Sequence, residues 1–92
     1  MSRYTRHPGL AAEIGRRARA RRLGIGLSQR AVCDLVGVGD GTVSRYETGE
    51  HSPSLETLCL LALALDLEPA DLLPTRAELA ALGIKVLDFS SI

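Results

Sequence analysis

Aromatic residues are nearly missing from this 92-residue chain: Tyr4, Tyr46 and Phe89 are the three present, and Trp is absent. A core with so little aromatic bulk has to be assembled from Leu, Val, Ile and Ala, which suits helices packed on helices. Cysteine is as sparse. Cys33 and Cys59 have no CxxC spacing, no spaced histidine pair and no further zinc-type ligands, so no metal is expected. The two thiols read as buried groups in a reducing cytosol. Long apolar runs are also lacking: the longest, residues 58–65, falls far short of the about 20 residues a membrane span requires. The N-terminus lacks the charged-then-apolar order of a signal peptide, so the expectation is a soluble, cytoplasmic protein with no membrane partner. No His, Cys or Ser sits in a triad-like setting, and neither paired acids nor a phosphate loop appears. An enzyme is therefore not expected, nor a cofactor, nor a small-molecule effector.

What is present is a hydrophobic content of 46%, enough for one closed core but not for a second independent domain. A formal net charge of zero argues against a nucleic-acid partner until the chain is divided after Tyr46. Residues 1–46 hold nine Arg against Glu13, Asp34 and Asp40, a surplus of six positive charges. Residues 47–92 hold Arg76 and Lys85 against eight acids, a surplus of six negative charges. A basic half is the electrostatic footprint of phosphate neutralisation, and an acidic half keeps the remaining surface off a duplex. The alternative is that both halves simply solvate the chain.

Along the chain, residues 1–9 carry Arg3, Arg6, His7 and Pro8 without apolar rhythm and read as a mobile basic arm. Leu10, Ile14, Ala18 and Leu23 recur near a 3.6 period and predict a first helix, stopped by Gly24 and Gly26. Ser28 is an N-cap for a second helix over 29–36, with Ala31, Val32, Leu35 and Cys33 as inward positions. Gly37 supplies positive φ, Val38 plugs the core, and a third helix runs over 40–48 to Gly49. Ser54 caps a fourth helix over 55–65, apolar almost all round as a central core helix would be. Pro69 opens a last short helix, 69–73, and Pro74 closes the unit. The expected fold is all-α: a five-helix bundle over 10–74 with a short tail over 75–92. In that tail residues 76–82 could form two helical turns and residues 84–89 are β-prone, which leaves an extended tail and a dimerisation segment open. Leu35, Val38, Val43, Tyr46, Leu55, Leu58, Leu61, Ala62 and Leu65 are core by periodicity, and for Tyr46 packing is favoured over stacking on a base.

Two short helices joined by a Gly-containing turn can cross steeply, so that the second projects while the first braces it. A major groove about 12 Å wide admits one such helix, read through its N-terminal residues. Residues 29–36 and 40–48 are those two elements.

At this point the residues resemble a known family. Leu27-Ser28-Gln29, Val36-Gly37-Val38-Gly39, Val43-Ser44-Arg45-Tyr46-Glu47-Thr48-Gly49, Pro53-Ser54-Leu55-Glu56-Thr57-Leu58 and Leu63-Ala64-Leu65-Asp66-Leu67 look like the lambda-repressor/Cro (XRE) helix-turn-helix family. The likeness covers residues 10–73, with several blocks in the right order and spacing. It implies a lambda-repressor-like bundle and a regulator that binds double-stranded DNA as a homodimer, over half-sites about one helical turn apart. Repression and a nucleoid-associated location go with that reading.

The resemblance puts Gln29 at a phosphate-contacting position, where a helix N-terminus favours an anionic oxygen. It puts Asp40, Gly41 and Arg45 at base-reading positions, with Thr42 and Ser44 beside them as phosphate or base contacts. Arg45 can pair bidentately with guanine, the alternative being a phosphate clamp. Asp40 departs from what DNA favours: it could accept from cytosine, orient a neighbouring Arg, or serve the helix dipole. Gly41 has no side chain to read with, which makes direct readout sparse. Arg22 and Glu47 fall where the family often has an ion pair between the first and third helices, and otherwise Arg22 faces solvent. Arg6, Arg19, Arg30, His51 and Ser52 are candidate backbone contacts, while Arg3, Arg16 and Arg17 supply steering charge. A competing reading is a protein-interaction module, such as an antitoxin or coactivator-like adaptor, presenting the fourth helix or the apolar tail (Ile84, Val86, Leu87, Phe89) to a partner.

Overall fold

A computed structural model of the chain describes residues 7–85. Arg3, Tyr4 and Arg6 of the arm, and Val86, Leu87 and Phe89 of the tail, lie outside the described residues. The described part is all-helical, with helices α1 Pro8–Gly24, α2 Gln29–Val36, α3 Thr42–Thr48 and α4 Leu55–Ala64, a 3-10 turn Pro69–Leu72, and α5 Arg76–Ala81.

Local chemistry sets these boundaries. Pro8 takes the first position of α1, two residues ahead of the expected start, because its missing N–H is an orphan there in any case. The hydroxyls of Ser28 and Ser54 accept from Ala31 N at 3.0 Å and Thr57 N at 3.1 Å, supplying acceptors to otherwise unpaired donors. Gly37 at φ 83° ends α2 and Gly49 at φ 78° ends α3. The stretch from Pro69 winds only a four-residue 3-10 turn, so the fifth α-helix is α5, downstream of Pro74. It is started by a reciprocal capping box: Thr75 accepts from Glu78 N and Glu78 accepts from Thr75 N, at 3.1 and 3.0 Å.

The core joins Ala18 of α1, Val32 and Cys33 of α2, Val43 of α3, Leu58, Leu61 and Ala62 of α4, and then Leu65 and Leu72. Ile14, Leu27, Val36, Val38, Tyr46 and Leu67 pack around it. Several expected core residues are outside. Leu35 is 63% exposed and Leu55 78%, because the buried arc of α2 is centred on Val32, Cys33 and Val36, and that of α4 on Leu58, Leu61 and Ala62. Leu23 is also exposed, and of the two thiols only Cys33 is buried, Cys59 being on the surface. Leu55, Cys59 and Leu63 stand four residues apart and form one exposed apolar row along α4.

α1 approaches α3 through small residues. A Cβ on Gly15 would lie inside contact distance of the Tyr46 carbonyl oxygen and 2.9 Å from that of Glu47. A Cβ on Gly49 would lie 2.8 Å from the backbone of Ala12. Backbone thus meets backbone at the carboxyl end of α3, and the helix is seated on α1 with its other side left to solvent.

Candidate nucleic-acid interface

The bracing of α3 centres on one carboxylate. Arg22 of α1 donates to Glu47 of α3 through Nε at 2.6 Å and Nη2 at 3.0 Å, in a buried position. Its Nη1 donates to the Leu27 carbonyl at 2.9 Å, which fastens the loop leading into α2. The Gln29 amide of α2 donates to Glu47 Oε1 at 3.0 Å. The hydrogen bonds that Glu47 accepts hold the Arg22 guanidinium in its charged form, raising its pKa above its ordinary value against the opposing pull of burial. Three helices are tied at one point, and an open cavity of about 310 Å³ lined by Arg19, Arg22, Gln29, Glu47 and Thr48 lies beside it.

Val43 and Glu47 are the buried positions of α3, and the opposite side faces out. Asp40, Gly41 and Arg45 are exposed, while Thr42 and Ser44 are half-buried. The space that a Cβ on Gly41 would fill lies 3.8–4.0 Å from Nη1, Cζ and Nη2 of Arg45. The three atoms are almost equidistant, so the guanidinium turns its flat face to Gly41. Side chains on a helix lean toward its N-terminus, and here that lean carries a charge from the middle of α3 to its amino end. Gly41, at φ 82°, is the N-cap and brings no capping side chain.

Around α3, Arg19, His51 and Ser52 are exposed and Gln29 is half-buried, its side chain turned to Glu47. Arg30 is exposed with Nη1 3.9 Å from Asp40 Oδ2. The other α1 arginines are engaged elsewhere. Arg16 pairs with Glu13 at 2.6 Å. Arg17 bonds Glu13 at 3.1 Å, Glu78 of α5, and the Leu73 carbonyl at 3.0 Å. Arg21 donates to the Leu65 carbonyl at 2.9 Å. The basic and acidic halves are therefore partly paired with each other, which the sequence count left unread. The structural duty of Arg17, Arg21 and Gly15 was not singled out from sequence, although the surplus of acids downstream was the available sign for the arginines. Among the described residues no group of three or more His, Cys, Asp or Glu is placed to hold a metal, and no helix is long and apolar enough to cross a membrane.

A bundle whose second and third helices are joined by a glycine turn, with the third seated on α1 and its amino end outward, is a helix-turn-helix. Residues 19–72 match the helix-turn-helix family. The chain belongs to the XRE-type helix-turn-helix family, a family of DNA-binding transcription regulators. Among solved structures it is similar to the restriction-modification controller protein C.AhdI from Aeromonas hydrophila, with 37% identity and a TM-score of 0.65, over 67% of this chain and 94% of that one. It shares its fold with a hypothetical transcription factor, NHTF, from Neisseria, with 23% identity and a TM-score of 0.69, over 89% of this chain and 94% of that one. No curated protein matches the chain.

Proposed function

We propose that this chain is a sequence-specific repressor that inserts α3, amino end first, into the major groove of double-stranded DNA. The observation that carries the reading is the placement of Arg45: exposed, and folded back over Gly41 at the end of α3 that a groove would receive. A guanidinium presented flat at that end can offer two N–H groups to O6 and N7 of guanine. Asp40, Gly41, Ser44 and Arg45 form the base-reading set of this proposal. Gln29, Thr42, Arg19, Arg30, His51 and Ser52, with Arg6 in the arm, form the phosphate set. Likeness to a restriction-modification controller protein supports the regulatory assignment. No catalytic step is part of the reading, and the place of action is the nucleoid of the cytoplasm.

The regulator acts as a homodimer in this proposal. The exposed apolar row of Leu55, Cys59 and Leu63 on α4 supports that reading, while strand pairing by the tail concerns residues that lie mostly outside those described. An adaptor that offers this same row to another protein is the competing assignment.

Titration of a labelled random-sequence duplex at several salt concentrations tests the proposal. DNA binding requires a log–log slope of about −0.9 per phosphate neutralised, and a slope of several units is expected here. Absence of any complex at about 50 mM salt contradicts the reading and favours the adaptor.

A further inference from the structure

Arg30 is the second residue of α2, and Asp40 directly precedes the N-cap of α3, so they face each other across the turn that joins the two helices. Arg30 Nη1 lies 3.9 Å from Asp40 Oδ2, and both side chains are 76% exposed. The N-cap of α3 is Gly41 and no side chain caps the helix, so the Asp40 carboxylate is not held by a capping hydrogen bond. Its ion-pair partner among the described residues is Arg30.

We propose that Asp40 is a specificity-determining residue that acts through Arg30, keeping this guanidinium from clamping the phosphates of arbitrary duplex DNA. The inference rests on the DNA-binding reading above. An exposed pair at this distance is held weakly in water, so a phosphate can displace the carboxylate. The exchange leaves Asp40 unpaired in the negative field of the duplex, and the gain from the new contact is largely cancelled. Non-cognate binding comes almost wholly from phosphate neutralisation, so it loses about one effective cation. In the cognate complex the Asp40 carboxylate, as a member of the base-reading set, accepts from a cytosine amino group instead, which releases Arg30 to its phosphate and keeps the binding strength. The carboxylate therefore widens the gap between the two.

The test uses the full chain with a random duplex and a duplex selected for tight binding, titrated between about 50 and 200 mM salt. Asp40→Asn is expected to tighten random-duplex binding about 5–10-fold, to steepen its salt slope by about 0.9, and to narrow the ratio of selected to random affinity. Asp40→Glu keeps the charge and is expected to leave the affinity for the random duplex, and its salt slope, at the wild-type level. In an Arg30→Ala background, Asp40→Asn is expected to give a smaller gain on the random duplex, from relief of repulsion alone, without the steeper slope. Unchanged or weaker random-duplex binding by Asp40→Asn overturns the proposal, as does a gain that is undiminished, slope included, in the Arg30→Ala background or one that Asp40→Glu reproduces. A wild-type protein that binds no duplex at all is a different result, visible before any variant is compared, and overturns the DNA-binding reading together with this inference.

Discussion

Arg22 and Glu47 are joined by two hydrogen bonds, at 2.6 and 3.0 Å, across the buried contact between α1 and α3. Gln29 adds a third bond to the same carboxylate, so the angle at which α3 leaves the bundle is set from both α1 and α2. A buried pair of this kind contributes little net stability compared with an apolar isostere, but loss of one partner strands a charge.

Glu47→Ala is accordingly expected to destabilise the fold by about 3–5 kcal/mol in urea unfolding, with Arg22 left buried and unpaired. Replacing both partners, Arg22→Met with Glu47→Leu, is expected to recover most of that loss. A cost below about 1 kcal/mol for Glu47→Ala would show that α3 is held by packing alone.

The glycines of this chain divide by what surrounds them. Gly15→Ala drives a methyl group into the Tyr46 carbonyl, and Gly49→Ala meets both the Ala12 backbone and a φ of 78°. Each is expected to cost about 1–3 kcal/mol or more, seen as a fall in melting temperature. Gly9→Ala, with nothing within 4 Å, is expected to be neutral or to stabilise by about 0.5 kcal/mol.

Acid should loosen α5 before the core opens. Hydrogen bonds from Arg16, then from Arg17, pull the Glu13 carboxyl down from its ordinary 4.5 to about 2. Glu78 is lowered first by the Thr75 backbone and hydroxyl, and further by Arg17. Folded pKa values below the unfolded ones mean that the folded state binds fewer protons. The stabilisation is thus complete above about pH 4.5 and is lost as pH falls toward 2. The expected result is a melting temperature that declines through that window and declines less in Glu13→Gln. A flat profile contradicts the network.

How much of this was legible beforehand depended on whether the signal was local. Ser28, Gly37, Ser54 and Gly49 are read from their neighbours alone, and the helices they bound stand within a residue or two of expectation. Leu55 and Cys59 misled because a helix apolar on nearly every side, as α4 is, gives no sign of which face is covered, and Leu35 misled because the inward arc of α2 is filled by Val32, Cys33 and Val36. Gly15 had no local reason to be glycine; its reason is the Tyr46 carbonyl, 31 positions away in the chain. The Thr75-Arg76-Ala77-Glu78 capping box was readable as a helix start, yet the staple by Arg17 that docks α5 on α1 was not. In the candidate interface the residue types were legible, whereas the turning of Gln29 toward Glu47 and of Arg45 over Gly41 depends on three-dimensional neighbours.

Thiol labelling separates the two cysteines and probes the α4 row together. Cys59 is exposed and should react with a disulfide reagent in the folded protein, while Cys33 reacts only on unfolding. If α4 forms the dimer contact, labelling of Cys59 should slow as protein concentration rises. Reaction at a rate independent of concentration would place the dimer elsewhere.

The most direct test of the account is the affinity of Arg45→Ala for a selected duplex and for that duplex with each base pair changed in turn. The account predicts a loss of about 1–3 kcal/mol on the selected site and indifference at one base-pair position that the wild type discriminates. An equal loss on every sequence, with all positions still discriminated, would contradict it and reduce Arg45 to a contact with phosphate.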